Sequence, residues 1–221
     1  MTAATIKGYR GMGMEGAIAR WYDKSTRKDT QRFRALAAQL RSVSPRGGDM
    51  LEVAPGPGYL AIEMATGGAY RVTGLDVSQT MVELAHRNAA AAGVAVDFRQ
   101  GNASAMPFAD DSFDLLACSA AFKNFSEPHR ALEEMYRVLR PGGTALVLDL
   151  RKDVTMSEIR KYFQSIGLST VERWMTLAAF RFMLLRRAYT PAQLEAMLTD
   201  IPFRRKEIRR VDVGVELWLQ K

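Results

Sequence analysis

From about residue 49 the chain alternates short apolar runs with helix-like stretches, and no other feature restricts its fold as much. Met50-Leu51-Glu52-Val53-Ala54 reads as a buried strand running into a glycine/proline turn, followed by an amphipathic stretch at residues 59–65. Residues 70–76 form a second strand, and Ser78 caps a helix through Met81, Val82, Leu84 and Ala85 to Gly93. Residues 94–99 and 113–119 supply the third and fourth strands. A helix at residues 127–139 is stopped by Arg140-Pro141-Gly142-Gly143, since proline and glycine disfavour its continuation. Residues 144–150, nearly all aliphatic, form the fifth strand. Parallel strands need crossover connections, so apolar strands separated by helices imply a doubly wound α/β sheet covered on both faces.

The flanks complete one domain spanning residues 1–221. Residues 1–48 are a helical leader with its clearest helix at 29–40, and 49–151 are the core. Residues 152–188 are a helical insertion expected over a substrate pocket, and 189–221 hold a last helix, capped by Thr190 and opened by Pro191, and a hairpin. The β-branched and aliphatic runs 205–211 and 213–219 make that hairpin antiparallel, giving a mostly parallel seven-stranded sheet.

Lone Cys118 sits in an apolar run and reads as a buried, inert thiol; no Cys/His cluster suggests a metal, so none is expected. With neither an apolar leader nor a membrane-spanning stretch, a cytoplasmic protein is expected. The net charge of +7 is unevenly spread: residues 1–48 carry 10 basic against 3 acidic side chains, 49–150 carry 7 against 13, and 151–221 carry 14 against 8. Basic ends around an acidic centre read as solvated faces rather than a cationic nucleic-acid surface.

In a doubly wound sheet a ligand sits at the carboxyl ends of the strands, here at the Ala54–Gly58 turn. Gly56 and Gly58 allow close backbone approach. Asp76, ending the second strand, can accept hydrogen bonds from adjacent ribose hydroxyls, and Asn102 with Ala103 offers an acceptor and an amide to an adenine edge. An adenosine-containing cofactor is the economical explanation. Gly56-x-Gly58-x-x-Ala61 also satisfies the dinucleotide fingerprint of nicotinamide enzymes, but the long leader and terminal hairpin disfavour that reading.

These residues resemble the class I S-adenosylmethionine-dependent methyltransferases, especially the group around the ubiquinone and menaquinone C-methyltransferases. The resemblance covers residues 19–150. It rests on Leu51-Glu52-Val53-Ala54-Pro55-Gly56-Pro57-Gly58, Gly74-Leu75-Asp76-Val77-Ser78 with Met81, Gly101-Asn102-Ala103-Ser104-Ala105-Met106-Pro107-Phe108, Phe113-Asp114-Leu115, and the segment from Ala131 to Gly143. It implies S-adenosyl-L-methionine as cofactor and S-adenosyl-L-homocysteine as product. Glu52 would organise the methionine amine end, with Ala54, Pro55, Gly56 and Gly58 in the turn. Asp76 and Val77 would hold the ribose, Met81, Asn102 and Ala103 the adenine, and Ser119 with Ala120 would face the methionine portion. Tyr22-Asp23 matches a leader motif that closes over the cofactor. Two departures are Ala54 in place of the usual first glycine and Asn102 in place of aspartate.

Methyl transfer from a sulfonium needs positioning more than acid/base help. His86 and His129 read as exposed helix residues, leaving Asn124, Asp149 and Tyr22 as weak catalytic candidates; Asp149 can equally cap or pair with Arg151. Met14, Trp21, Phe122, Phe125, Trp174 and Phe180 are candidate substrate-pocket residues, favouring a small apolar or aromatic acceptor. The apolar segment 174–187, with its basic end, can also read as a core helix, a dimer face or a peripheral membrane contact. The expected state is monomer or homodimer. The alternatives are an RNA methyltransferase, disfavoured because the segment after the fourth strand lacks an Asn-Pro-Pro-Tyr-type motif, and a fold that binds the cofactor without methyl transfer.

Overall fold

The computed structural model describes residues 8–10, 13–44, 46–165 and 185–221. Helices α1 (Gly16–Thr26) and α2 (Thr30–Val43) precede β1 (Gly48–Val53), α3 (Tyr59–Ala65), β2 (Tyr70–Asp76), α4 (Gln79–Ala92), β3 (Asp97–Gln100) and β4 (Phe113–Ser119). A 3-10 turn at Phe122–Asn124 leads to α5 (Pro128–Val138), β5 (Leu139–Leu150), α6 (Met156–Ser165), α7 (Pro191–Leu198), β6 (Arg205–Val211) and β7 (Gly214–Gln220).

The seven strands form one sheet in the order β3-β2-β1-β4-β5-β7-β6. β1 pairs parallel with β2 and β4, while β7 runs antiparallel between β5 and β6. The order in which successive strands are added reverses between β1 and β4, so their carboxyl ends flank the topological switch where such sheets bind ligands. Alternating side chains build a core on each face. Leu51, Val53, Leu116 and Cys118 face α5 and α7, whereas Met50, Leu115, Ala117 and Leu146 face α2, α3 and α4.

The strand–helix alternation appears as expected, with shifted boundaries. The third strand begins at Asp97 rather than residue 94. Gly93 caps α4 in the left-handed region, and Val94 N–H turns back to Ala89 O, so Val94 and Val96 pack on the core before the ladder starts. The helix before β5 ends at Val138, and Pro141-Gly142-Gly143 forms the irregular start of β5 rather than a loop. There the register with β4 shifts, Gly142 adopts φ 83°, and Gly142 N–H donates to Lys221 O. In the insertion, α6 and residues 185–188 are described; Trp174 and Phe180 lie outside the described residues. Among the described residues no helix is long and apolar enough to cross a membrane.

Candidate functional site

The β1–α3 turn is held open by its backbone. Ala54 leaves the strand at φ 56° while its N–H donates to Leu75 O at 2.8 Å, followed by Gly56 at φ 55° and Gly58 at φ 83°. The glycines differ in what fixes them. A methyl group on Gly58 would stand 2.7 Å from Phe98 Cζ, so that position is closed by packing. On Gly56 it would meet, among the described residues, only Tyr22 Cε1, at 3.8 Å, so of these Tyr22 alone borders this flank.

Asp76 ties the turn to β2. Its Oδ2 accepts from Gly56 N–H at 3.0 Å and its Oδ1 from Ser78 N–H at 2.9 Å. Burial raises its pKa to about 6 against the pull of these amides. Glu52, 3 % exposed, sits one strand over. It accepts a hydrogen bond from the Ala61 backbone N–H, but among the described residues Oε2 is buried without a partner. Burial raises its pKa to about 8, with the nearby Asp76 charge adding to the rise. The turn therefore encloses two carboxyl groups whose ionisation burial opposes, Asp76 being the better supplied with backbone donors.

The leader covers this arrangement. Asp23 is buried on α1, with Oδ1 accepting from Tyr59 OH at 2.6 Å and Asn88 Nδ2 at 3.0 Å, and Oδ2 accepting from Arg27 at 3.0 Å. Asn88 Nδ2 also donates to Pro57 O, so one aspartate joins α1, α3, α4 and the turn. Met14 packs with Ala19, Tyr22, Met81 and Leu84, and Ser78 Oγ donates to Met14 O while capping α4. Trp21 points outward at 68 % exposure, because helical spacing gives the inward directions to Tyr22 and Asp23.

Across the switch, Asn102 Oδ1 accepts from Ser104 N–H, Ala103 packs on the core, and Val77 O accepts from Gln100. Ser119 Oγ accepts from Arg32 at 3.4 Å. Ala120 adopts φ 58°, and its carbonyl accepts from Lys123 Nζ at 2.6 Å. The Lys123 ammonium also pairs with Asp149 Oδ1 at 2.9 Å, both side chains being 5 % exposed, and Asp149 Oδ2 takes Lys123 N–H at 2.7 Å. Asp149 is thereby committed to Lys123 rather than Arg151, which pairs with Asp153 and Glu158. Phe122 and Phe125 are buried against each other, and Phe122 also packs on Tyr189. Asn124 is 9 % exposed and accepts from Arg187.

Sequence reading did not assign Lys123, Arg10, Arg32, Arg187 or Tyr189 to the site. Tyr9 bridges Phe125 as a one-residue strand, and its phenol pKa is raised by burial while feeling the charges of Arg187, Asp76 and Asp149. A lysine between two phenylalanines ahead of a strand-end aspartate was the available signal. His86 meets Phe98 O and His129 meets Asp200. Burial pushes the Cys118 thiol well up, in keeping with an inert side chain.

A methyltransferase-domain family model matches residues 51–147, the stretch from β1 into β5. The chain is 34 % identical over 169 residues to a demethylmenaquinone methyltransferase of Deinococcus radiodurans, covering 72 % of this chain and 69 % of that protein. It is 30 % identical over 181 residues to an Escherichia fergusonii ubiquinone/menaquinone biosynthesis C-methyltransferase, covering 77 % and 72 %. The fold matches a Methanococcus maripaludis structure assigned as an S-adenosyl-L-methionine-dependent methyltransferase, with TM-score 0.74, 20 % identity and coverage of 96 % and 97 %. With the matched segment lying on the strands that carry the turn, Asp76 and Ala120, the chain belongs to the ubiquinone/menaquinone C-methyltransferase-like group of class I S-adenosylmethionine-dependent methyltransferases.

Proposed function

We propose that this chain methylates a small, flat aromatic acceptor, of the quinone-related kind indicated by its relatives' names. The observation that carries this reading is the aromatic surround of the strand ends: Tyr9 bridges the loop after β4, Tyr22 lies over Gly56, and Tyr189 packs on Phe122. Such a surround suits a single ring better than a polymer.

The residues fit the cofactor on structural grounds. The Glu52 oxygen without a partner among the described residues suits an ammonium group, and the Gly56 flank, bordered among them by Tyr22 alone, leaves room beside the turn. Bound there, S-adenosylmethionine would supply an electrophilic methyl on sulfur. Glu52 would hold the amine end, and Asp76 would use the lone pairs left by Gly56 and Ser78 for the ribose hydroxyls. Asn102, Ala103 and Met81 would border the adenine, while Ser119 and Ala120 would face the methionine portion. With Asp149 held by Lys123, orientation rather than proton removal carries the reaction in this reading. The test is S-adenosylhomocysteine production with naphthoquinols, catechols and monophenols alongside transfer RNA. Turnover confined to the aromatic small molecules supports the proposal; turnover confined to the RNA refutes it.

A further inference from the structure

β3 is a four-residue edge strand paired with β2 alone, and just past it Gly101 N–H donates to Asp76 O at 2.8 Å. Asn102 and Ala103, proposed to border the adenine, come immediately after. From there the chain hangs on α5. Ser104 Oγ donates to Glu127 O at 3.1 Å, ahead of that helix, and Met106 N–H donates to Glu134 Oε2 at 2.6 Å. Arg137, one helical turn further on, donates from Nη2 to Met106 O at 3.0 Å and from Nη1 to Phe108 O at 2.8 Å. The turn between these anchors is folded on itself, with a bridge from Asn102 to Ala105 and a bond from Ser104 N–H to Asn102 Oδ1. A shift at Met106 therefore carries to Asn102 and Ala103.

Glu134 and Arg137 act as a unit. Glu134 is buried, and Arg137 meets both of its oxygens, Nε to Oε1 and Nη2 to Oε2, each at 2.8 Å. Nη1 also reaches Asp110 Oδ1 at 2.7 Å, so all five guanidinium N–H donors have acceptors. The bonds from Arg137 hold the Glu134 carboxyl below its usual range, although burial opposes its ionisation. A planar fork that grips a carboxylate and two carbonyls fixes direction as well as distance, which a lysine ammonium does not. Together the two side chains engage three backbone groups of one loop: Met106 N–H, Met106 O and Phe108 O. We propose that Glu134 and Arg137 are positioning residues for the adenine end of the cofactor: by holding Met106 and Phe108 from α5 they set where Asn102 and Ala103 meet the base, and so how strictly the base is read. This rests on the cofactor placement proposed above and goes beyond it by giving base selectivity to side chains of α5.

The test is calorimetric titration with S-adenosylhomocysteine and S-inosylhomocysteine. Replacing the 6-amino group by oxygen reverses donor and acceptor along that edge of the base and leaves the ribose and amino-acid ends unchanged. The unaltered chain should prefer the adenosyl compound about tenfold or more, as expected of a site built to hydrogen-bond one edge. Arg137→Gln should bring the preference within about threefold, Glu134→Gln should lower it in the same direction, and Arg137→Lys should leave an intermediate value. Arg140→Gln is the control. It removes the ion pairs with Asp49 and Asp114 at the opposite ends of β1 and β4, so it should lower the melting temperature without moving the preference. Thermal melting of each variant checks that the fold persists, and if Arg137→Gln does not fold, Arg137→Lys and Glu134→Gln decide. A preference intact in the folded variants of Glu134 and Arg137, one lost equally in Arg140→Gln, or none in the unaltered chain overturns the proposal. Failure of the unaltered chain to bind S-adenosylhomocysteine strikes the cofactor assignment instead, and is read in the same experiment.

Discussion

Glu52 and Asp76 give the strand ends a pH dependence whose sign follows from their burial. An unfolded glutamate ionises near 4.5, but Glu52 in the fold holds its proton to about 8, so the ligand-free protein loses stability as pH rises between those values. Asp76, raised from 3.8 to about 6, adds to the loss below pH 6. From pH 6 to 8 Glu52 remains as the main contributor, with a limiting slope of about 1.4 kcal/mol per pH unit. Urea unfolding at pH 6, 7 and 8 should show that decline, and Glu52→Gln should flatten it. On the proposed role of Glu52 at the cofactor's amine end, binding an ammonium would release its proton. Cofactor affinity should therefore rise with pH across the same window in the unaltered chain, and rise much less in the variant.

The glycine turn separates two kinds of constraint that sequence alone treats alike. Gly58→Ala meets both a left-handed φ and the Phe98 ring, whereas Gly56→Ala meets the φ alone. Gly58→Ala should cost well over 2 kcal/mol and Gly56→Ala about 1 kcal/mol, with the milder variant losing cofactor affinity out of proportion to its stability. Denaturant midpoints and calorimetry distinguish the two. Ala54 already bears the left-handed strain, so Ala54→Gly should relieve about as much as it adds in unfolded-chain entropy and leave stability nearly unchanged.

At the scale of elements, Lys123 and Asp149 join the end of β4 to the end of β5 and also hold the carbonyl of strained Ala120. Replacing one partner strands the other charge in the interior. Lys123→Met or Asp149→Asn should cost roughly 3 kcal/mol or more, and the Lys123→Met/Asp149→Leu pair clearly less than the two single costs combined. A double-mutant cycle in guanidinium chloride measures this. The leader is fastened comparably by Asp23. Its burial opposes ionisation, but the bonds from Tyr59, Asn88 and Arg27 outweigh that and hold its carboxyl below the usual range. The resulting stability is present above pH 3.8 and lost as pH falls through the lowered value. Asp23→Asn should remove this acid-side loss in urea titrations at pH 2 to 5.

Local chemistry explains which elements were legible. Proline, glycine and hydrophobic period mark strand–turn–helix units within a few residues, so the turn, Asp76 and the terminal hairpin could be found in advance. The start of β3 could not, because Val94 and Val96 look like strand residues while packing as a loop. Lys123–Asp149 and the Arg10–Tyr189 contact escaped because they join residues brought together by the sheet rather than by spacing.

At the scale of the molecule, part of the uneven charge is met by local pairs. Arg205 and Arg209 meet Glu207 on β6, Arg210 meets Asp153, and Lys221 meets Asp111. These exposed pairs offset part of the basic end's charge and contribute little to stability individually. Saturating S-adenosylhomocysteine, bound to the folded form alone, should stabilise the chain by about 2.7 kcal/mol at a hundred times its dissociation constant. A thermal-shift titration checks that the gain grows with the logarithm of concentration.

The sheet order has a kinetic consequence. β4 lies beside β1, yet the chain makes β2 and β3 before reaching it, and the Lys123–Asp149 tie waits for β5. During synthesis, a chain already carrying the turn and Asp76 would have no second wall for a ligand. Competence to bind would therefore arrive late and as a single event, making the cofactor a sensor of completed long-range pairing rather than a scaffold for early folding.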